Sequence, residues 1–424
     1  MATIKPFRAQ RFSPTAGELA HLVAPPYDVI SSQGREDLGG MSPYNTVWLT
    51  LPEAEPDDRS KFVKYGRSSS RLSSWREEGM LVVEDRPSFY RYCQSFTDPV
   101  SGNRLTRESV VCLIKTEPYE KGVVLPHEQT FPKHKEDRLR LLEATRTHLE
   151  CIYGLYEDPS GRVANALADT EFEVVANITT DDGIYHELAK AANVDDLVQL
   201  EQAFEPERVW IADGHHRYET ALSFRQAMGD QPGPIPEDYM MIALSGMNDP
   251  GLILLPTHRI VANFPCPLDQ IEAKLSERFQ IRRVDNKNLL GELLNSTDPN
   301  DRVVGIAIPG GTGILATTTA DNAVAWSAEG SDLLKKLDVT ILHEGILKDL
   351  GIEGMDKVGY TRDAKEAIDA VETGSNTVAF LMNPPSVTDM RLIAMGGEKM
   401  PQKSTYYYPK LLSGLVFWSM TDLS

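Results

Sequence analysis

The sequence of 424 residues contains few cysteines, and they lie far apart. Cys93, Cys112, Cys151 and Cys266 form no CxxC pair, and they are too few for a disulfide-stabilised secreted domain. Such sparse thiols are typical of a reducing compartment. We therefore expect free cysteines and a cytoplasmic protein.

Long apolar runs are also missing. No segment approaches the roughly 18 apolar residues that a membrane-spanning helix needs. Residues 1–8 contain no apolar run of the kind found in an export signal. We expect neither a membrane segment nor a secretory signal.

Positive charge is scarce relative to negative charge. The chain has 43 Lys and Arg against 62 Asp and Glu, a formal net charge of −19. Nucleic-acid affinity depends mainly on clustered cations, so a nucleic-acid partner is not expected. GxSxG, HExxH and Rossmann motifs are absent as well, which argues against the classes of enzyme that carry them. The expected partner is a small molecule, and a homo-oligomer remains open.

The order of predicted elements favours an α/β to α+β fold with mixed sheets. A strand is predicted at residues 208–212, a hairpin turn at residues 308–313, and helices at residues 135–150 and 184–204. Soft boundaries near residues 120 and 266 predict three parts: an N-terminal α+β segment (1–120), a core (121–266) and a C-terminal α/β segment (267–424).

One pentapeptide carries the strongest chemical signal. Asp213-Gly214-His215-His216-Arg217 follows the predicted strand and precedes a predicted helix. Such a helix start favours anions, and the arginine fork can bind phosphate or carboxylate. The histidines can donate hydrogen bonds or protons, and Asp213 can orient a histidine or act as a base. The alternative is an aspartate N-cap followed by solvated side chains.

A second polar segment covers residues 125–138. Glu128 has the chemistry of a general base, and Lys133, Lys135 and Arg138 could neutralise a phosphate. A hydrated charged loop entering a helix would have the same composition.

Two further segments could contribute side chains to a site. Tyr27 and Asp28 follow two prolines that would fix their directions, although a rigid surface turn explains them equally well. Lys403, Ser404 and Thr405 suit a phosphate or carboxylate, whereas the adjacent tyrosines could simply close a domain interface.

No metal held by the protein alone is expected. Adjacent histidines on a helix point about 100° apart and seldom bind one ion together. Mg²⁺ brought by a nucleotide is favoured, since Mg²⁺ usually binds one or two carboxylates together with phosphates.

The motifs at residues 24–30, 127–130, 213–218 and 400–405 resemble those of the domain-of-unknown-function family 1015. The Asp213–Arg217 turn is also similar to the D-G-H-x-R turn of the ParB, sulfiredoxin and free-serine-kinase superfamily. That resemblance implies a ParB/serine-kinase-like core in which the turn binds a nucleotide or a substrate phosphate. ATP, ADP or CTP with Mg²⁺ is the cofactor it implies.

The leading hypothesis is a nucleotide-dependent phosphotransferase acting on a small hydroxylated, serine-like metabolite. Its catalytic residues would be Glu128, Asp213 and His216. Its ligand-binding residues would be Tyr27, Asp28, Lys133, Gly214, His215, Arg217, Lys403, Ser404 and Thr405. A non-catalytic nucleotide-binding switch and a metal-dependent phosphatase are the alternatives. We further expect Asp28, Glu128, Arg217 and Lys403 to share one pocket.

Overall fold

A computed structural model gives the structure of the chain. It describes residues 1–421 except residues 131, 297, 299, 327, 328, 353, 355, 356, 375 and 402, and it leaves the side chains of residues 132–134 undescribed. The chain divides into two compact units. The first contains Met1–Pro126, Thr130–Ile253 and Pro409–Ser424, and the second contains His127–Gln129 and Leu254–Tyr408.

The strands of the described residues, in chain order, are β1 (Ile4–Lys5), β2 (Gln10–Phe12), β3 (Leu81–Val83), β4 (Tyr90–Thr97), β5 (Arg104–Lys115), β6 (Val124–Leu125), β7 (Thr147–His148), β8 (Ile152–Tyr156), β9 (Phe172–Thr179), β10 (Tyr185–Ala191), β11 (Val209–Asp213), β12 (Tyr239–Gly246), β13 (Ile253–Leu254), β14 (His258–Val261), β15 (Gln280–Asp285), β16 (Asp301–Ala307), β17 (Thr312–Thr319), β18 (Val358–Thr361), β19 (Val378–Leu381), β20 (Tyr407–Tyr408) and β21 (Trp418–Ser419).

The α-helices are α1 (Ser32–Met41), α2 (Val47–Thr50), α3 (Val63–Glu77), α4 (Pro132–Thr145), α5 (Arg162–Asp169), α6 (Val194–Phe204), α7 (His215–Ala227), α8 (Ile271–Leu275), α9 (Leu289–Leu294), α10 (Ala320–Val324), α11 (Asp332–Lys335), α12 (Asp338–Thr340), α13 (Ala364–Thr373) and α14 (Val387–Met395). A π-helical segment, Ile341–Leu347, follows α12. None of the described helices is both long and apolar enough to cross a bilayer.

The first unit is built on a mixed sheet. Among the described residues this sheet has nine strands, in the order β6-β11-β8-β12-β5-β4-β10-β9, with β1 also paired to β5. β11 is parallel to β6, and β8 is parallel to β12, whereas the other neighbours are antiparallel. The mixed α/β class predicted from the sequence is therefore confirmed. Strands on both sides of residue 120, the first predicted boundary, belong to this sheet.

The centre of this sheet is buried on both faces. Residues 209–212 of β11 are all apolar and buried, as expected for a strand covered from both sides. Helix α7 follows β11 and packs against α4, β8 and β12. The predicted strand at residues 208–212 is thus confirmed, and its carboxyl end meets the start of α7.

The second unit is built on an antiparallel sheet. Its described strands follow the order β15-β17-β16-β19-β14-β18. Alternate side chains of β16 enter different cores: Val304 and Ile306 pack with α8 and the π-helical segment, while Val303 and Ala307 pack with α9 and α13. Both faces are therefore covered by helices. The hairpin turn predicted at residues 308–313 connects β16 to β17, as expected.

The helices predicted over residues 184–204 are wrong for the first half of that range. Tyr185–Ala191 form strand β10, which pairs with β4 and β9, and only Val194–Phe204 are helical. The sequence of β10 contains Glu, Leu, Ala and Lys, which favour helices locally, but pairing on both edges overrides that weak preference.

The helix predicted over residues 135–150 ends earlier than expected. Helix α4 stops at Thr145, and Arg146 has a positive φ of 49°. Thr147 and His148 then form β7, which pairs with β21. The positive φ cannot continue a right-handed helix, so the helix ends there and Glu150 lies outside it.

Gly154 in β8 offers a direct test of this core. A Cβ there would lie 2.8 Å from Ile242 Cδ1 and 2.9 Å from both Leu244 Cδ2 and Val209 Cγ1. We expect Gly154→Ala to lower the free energy of unfolding by about 1–3 kcal/mol through overpacking. Gly66→Ala is the matched control, because Gly66 lies in α3 and a methyl group added there would have no neighbour within 4 Å. It should leave stability unchanged or raise it by up to about 1 kcal/mol. Equal denaturant midpoints for the two variants would contradict this packing.

Candidate functional site

The turn between β11 and α7 requires a glycine. Gly214 has a φ of 94°, in the left-handed region that side chains avoid. A Cβ at this position would also lie 2.6 Å from Ile152 Cγ2. The turn therefore brings the strand end at Asp213 close to the first turn of α7, which carries His215 and Arg217.

The guanidinium of Arg217 is held from one side. Its Nη1 donates a hydrogen bond of 2.7 Å to the carbonyl oxygen of Cys151. Among the described residues this is the one hydrogen bond that the Arg217 side chain makes, so Nε and Nη2 donate to no described acceptor. Burial lowers the pKa of this side chain, but the nearby carboxylates of Glu150, Asp213 and Asp28 raise it above its usual value. Arg217 is therefore a fixed cation.

Asp213 forms an ion pair with a lysine from the C-terminal segment of the same unit. Lys410 Nζ lies 2.7 Å from Asp213 Oδ2, and the two side chains are only 14% and 21% exposed. Burial raises the pKa of Asp213, but Lys410 and then Arg217 lower it more, so it lies well below its usual range. Asp213 is thus ionised at neutral pH.

Tyr27 and Glu150 complete the surroundings of Arg217. The backbone N–H of Tyr27 donates to Glu150 Oε1 at 3.1 Å, and the Ser413 hydroxyl donates to the same oxygen at 2.8 Å. The Arg138 guanidinium lies 4.0 Å from the centre of the Tyr27 ring. Burial raises the pKa of Tyr27 to about 12, although Arg138 and Arg217 oppose the shift. The phenol is therefore a neutral hydrogen-bond donor at neutral pH.

A small cavity adjoins this group of side chains. It has a volume of about 50 Å³ and is lined by Arg138, Glu150, Arg217, His148 and Thr220, among others. Leu141, Leu142, Leu149 and Met240 form much of its wall, and the polar groups of Arg138, Glu150 and Arg217 reach it at one side. A cavity of this size holds about one water molecule, bound to those polar groups.

The predicted site residues belong to both units, and those of each unit are described by themselves. The first unit contains Tyr27, Asp28, Asp213, Gly214, His215, His216 and Arg217. The electrostatic neighbours of Arg217 include Tyr27, Asp28 and Asp213, which come from distant parts of the sequence. His215 is buried near Asp213, and His216 is half-buried at the second position of α7.

The second unit contains Glu128, Lys403, Ser404 and Thr405. The backbone N–H of Lys403 donates to Glu128 Oε1 across 3.5 Å, and His127 Nε2 lies 2.9 Å from Thr405 Oγ1. Ser404 is buried and donates to a backbone carbonyl, whereas the side chain of Lys403 is exposed. Residues 127–128 and 403–405 therefore adjoin one another within this unit.

Two predictions about the site, the role of Lys133 and the shared pocket, stay predictions. The side chain of Lys133 lies outside the described residues. That Asp28, Glu128, Arg217 and Lys403 share one pocket stays a prediction. Among the described residues, no group of three or more His, Cys, Asp or Glu side chains is arranged to hold a metal ion.

Sequence reasoning missed two site residues of the first unit, Glu150 and Lys410. Glu150 was hidden at the end of a predicted helix, two residues before the apolar strand β8. Lys410 follows a proline and three tyrosines, and no local pattern links it to Asp213, which lies 197 positions earlier. The one signal in the sequence was an aspartate at the end of an apolar strand, because a carboxylate placed there needs a cation nearby.

The Asp213–Lys410 pair predicts a pH-dependent stability. Lys410→Met leaves Asp213 largely buried without its main partner and should cost about 3 kcal/mol at pH 7. Because the pKa of Asp213 is lowered by folding, this contribution is present above its unfolded value of about 4 and is lost as the pH falls towards its folded value. The difference from wild type should therefore shrink in urea titrations at pH 3.

Lys365→Met is the matched control for that titration. Lys365 pairs with Asp369 on the exposed surface of α13, so its loss should cost under about 0.5 kcal/mol at either pH. A Lys410→Met effect as small as the control, or one that grows in acid, would contradict the assigned pair.

Several solved structures are similar to the chain. A conserved hypothetical protein from Pyrococcus furiosus is 12% identical, with a TM-score of 0.36, and the match covers 74% of this chain and 97% of that one. A free serine kinase mutant in complex with ADP is 11% identical, with a TM-score of 0.36 and coverages of 70% and 87%. SbnI with a C-terminal truncation, from Staphylococcus aureus, is 10% identical, with a TM-score of 0.36 and coverages of 72% and 86%.

No curated protein matches the chain. A family model does. The model described as "Protein of unknown function (DUF1015)" matches residues 4–340, which is most of the sequence. The chain therefore belongs to the DUF1015 family, as its motifs predict.

Proposed function

We propose that the chain is a phosphotransferase that moves a phosphoryl group from a nucleotide to a hydroxyl group of a small metabolite. The observation that carries the proposal is the guanidinium of Arg217, fixed by the Cys151 carbonyl with two nitrogens left for a ligand. A planar guanidinium binds two phosphate oxygens at once. The amino end of α7 adds backbone N–H groups and the positive end of the helix dipole.

Phosphoryl transfer depends more on positioning of the substrates and neutralisation of charge than on covalent catalysis by the protein. The bond from the transferred phosphorus to the donor oxygen breaks, a bond to the acceptor oxygen forms, and the hydroxyl proton goes to a carboxylate. Arg217 would bind phosphate oxygens, with Lys410 close by as a second cation. Asp213 is kept ionised by Lys410 and can accept a proton late in the reaction. Glu128 is the other predicted proton acceptor.

The carboxylates near Arg217 fit a nucleotide that brings its own cation. Mg²⁺ typically binds one or two protein carboxylates and completes its shell with phosphates and water. Asp28 and Asp213 both lie within electrostatic reach of Arg217 and could supply those oxygens. A metal-dependent phosphatase, the alternative, would instead need several protein ligands around the ion. We therefore favour a Mg²⁺–nucleotide, with ATP, ADP or CTP as the candidates.

Arg217→Gln tests the phosphate-binding role. This change removes the guanidinium and should weaken binding of ATP, CTP or pyrophosphate, with Mg²⁺, by about 10- to 100-fold in calorimetric titrations. Arg225→Gln is the control, because it makes the same change on the same helix at a residue paired with Asp238. It should bind like wild type. Equal dissociation constants for Arg217→Gln and wild type would remove Arg217 from the site.

Glu128→Gln tests the predicted base. The amide keeps the size of the side chain but accepts no proton, so nucleotide binding should persist while turnover falls by roughly 10²- to 10⁴-fold. Glu143→Gln, at an exposed residue of α4 paired with Arg140, should retain wild-type turnover. Undiminished turnover by Glu128→Gln would leave Asp213 as the proton acceptor. Normal nucleotide binding without turnover in the wild-type protein would instead indicate the nucleotide-binding switch.

A further inference from the structure

The second unit contains a buried arginine that the proposed function does not use. Arg259, in β14, is only 2% exposed. Nη1 donates to the carbonyl of Thr257, Nη2 donates to the carbonyl of Lys403 at 3.4 Å, and the guanidinium lies 5.5 Å from the centre of the Tyr360 ring. Nε is buried and has no hydrogen-bond partner among the described residues.

No described carboxylate lies within ion-pair distance of Arg259, and its other neighbours are not counter-charges. His258 and His343 have pKa values lowered to about 4, first by burial and then by the positive charge of Arg259. Burial lowers the pKa of Arg259 itself to about 10, which Tyr360 only partly offsets. A buried charge without a partner costs several kcal/mol. Some other group must recover that free energy, or the residue serves a purpose other than stability.

Arg259 lines a cavity of about 360 Å³ together with Thr257, Asn383 and Ser404. This volume lies in the usual range for small-molecule sites. The other lining cations already face carboxylates: Arg302 lies 3.7 Å from Asp338, and Lys336 lies 3.3 Å from Asp321. Within the described part of the chain, Arg259 is therefore the cation of this cavity that lacks an acidic partner.

The walls of the cavity limit the charge of a ligand. Asp298, Asp301, Asp338 and Asp389 also line it. A triphosphate would carry several negative charges towards these carboxylates, whereas a single carboxylate could pair with Arg259 at much lower cost. We propose that this cavity is a second ligand site, in which Arg259 binds the carboxylate of a small organic acid. The inference does not depend on phosphoryl transfer.

The test is a calorimetric titration of the full chain with acetate, glycolate, hexanoate and benzoate at constant ionic strength. At least one of these carboxylates should bind the wild-type protein and raise its unfolding temperature. Arg259→Met should abolish the effect, and Arg259→Lys, which keeps the charge but not the planar fork, should weaken binding about tenfold. Arg282→Met, at an exposed residue of β15, should bind like wild type.

Two further measurements separate this site from the Arg217 site and from a purely structural role of Arg259. Arg217→Gln should retain carboxylate binding, because Arg217 does not belong to the described lining of this cavity. Without ligand, Arg259→Met should unfold at or above the wild-type temperature, because the variant no longer buries an unpaired charge. If Arg259→Met does not fold, the carboxylate affinity of Arg259→Lys tests the proposal, and an affinity equal to that of wild type contradicts it.

Four outcomes would overturn the proposal. The first is that none of the four carboxylates binds, and the second is that Arg259→Lys and Arg259→Met bind them as well as wild type does. The third is that carboxylate binding disappears in Arg217→Gln. The fourth is that inorganic phosphate binds at this cavity in place of every carboxylate.

Discussion

The ionic group at the end of β11 constrains the candidate site more than any other interaction. Asp213 is largely buried and ionised, so a cation has to reach it, and that cation is Lys410 from the C-terminal segment of the unit. Arg217 needs a fixed acceptor, which the Cys151 carbonyl beside β8 provides. The positive φ of Gly214 allows both to occur in one turn. Charge compensation thus ties the strand end, the helix start and the C-terminal segment together.

The arginines of the two units, Arg217 and Arg259, have different electrostatic surroundings. Arg217 lies among the carboxylates of Glu150, Asp213 and Asp28, which raise its pKa and keep it a permanent cation. Arg259 has no such neighbours among the described residues, and burial lowers its pKa. The first environment compensates the arginine charge and still leaves N–H groups for a ligand. The second leaves the charge uncompensated, which is why a bound carboxylate explains it better than stability does.

Local patterns predicted what depends on local physics. The apolar run at residues 209–212, the glycine turn and the hairpin at residues 308–313 each follow from a few adjacent residues, and the structure contains all three. Strand β10 was mistaken for a helix because its sequence favours one, while pairing with two neighbouring strands decides its conformation. Lys410 was missed because its role is set by a carboxylate far away in the sequence.

The central claim is that a nucleotide bound to this chain loses a phosphoryl group to an alcohol. Phosphorus NMR of the full chain with Mg²⁺, ATP or CTP, and serine or glycerol as acceptor tests it most directly. We expect a phosphate-monoester signal that grows as the terminal phosphate signal of the nucleotide declines, with nucleoside diphosphate formed in equal amount. A nucleotide that binds but stays intact, or that yields only inorganic phosphate, would contradict the claim.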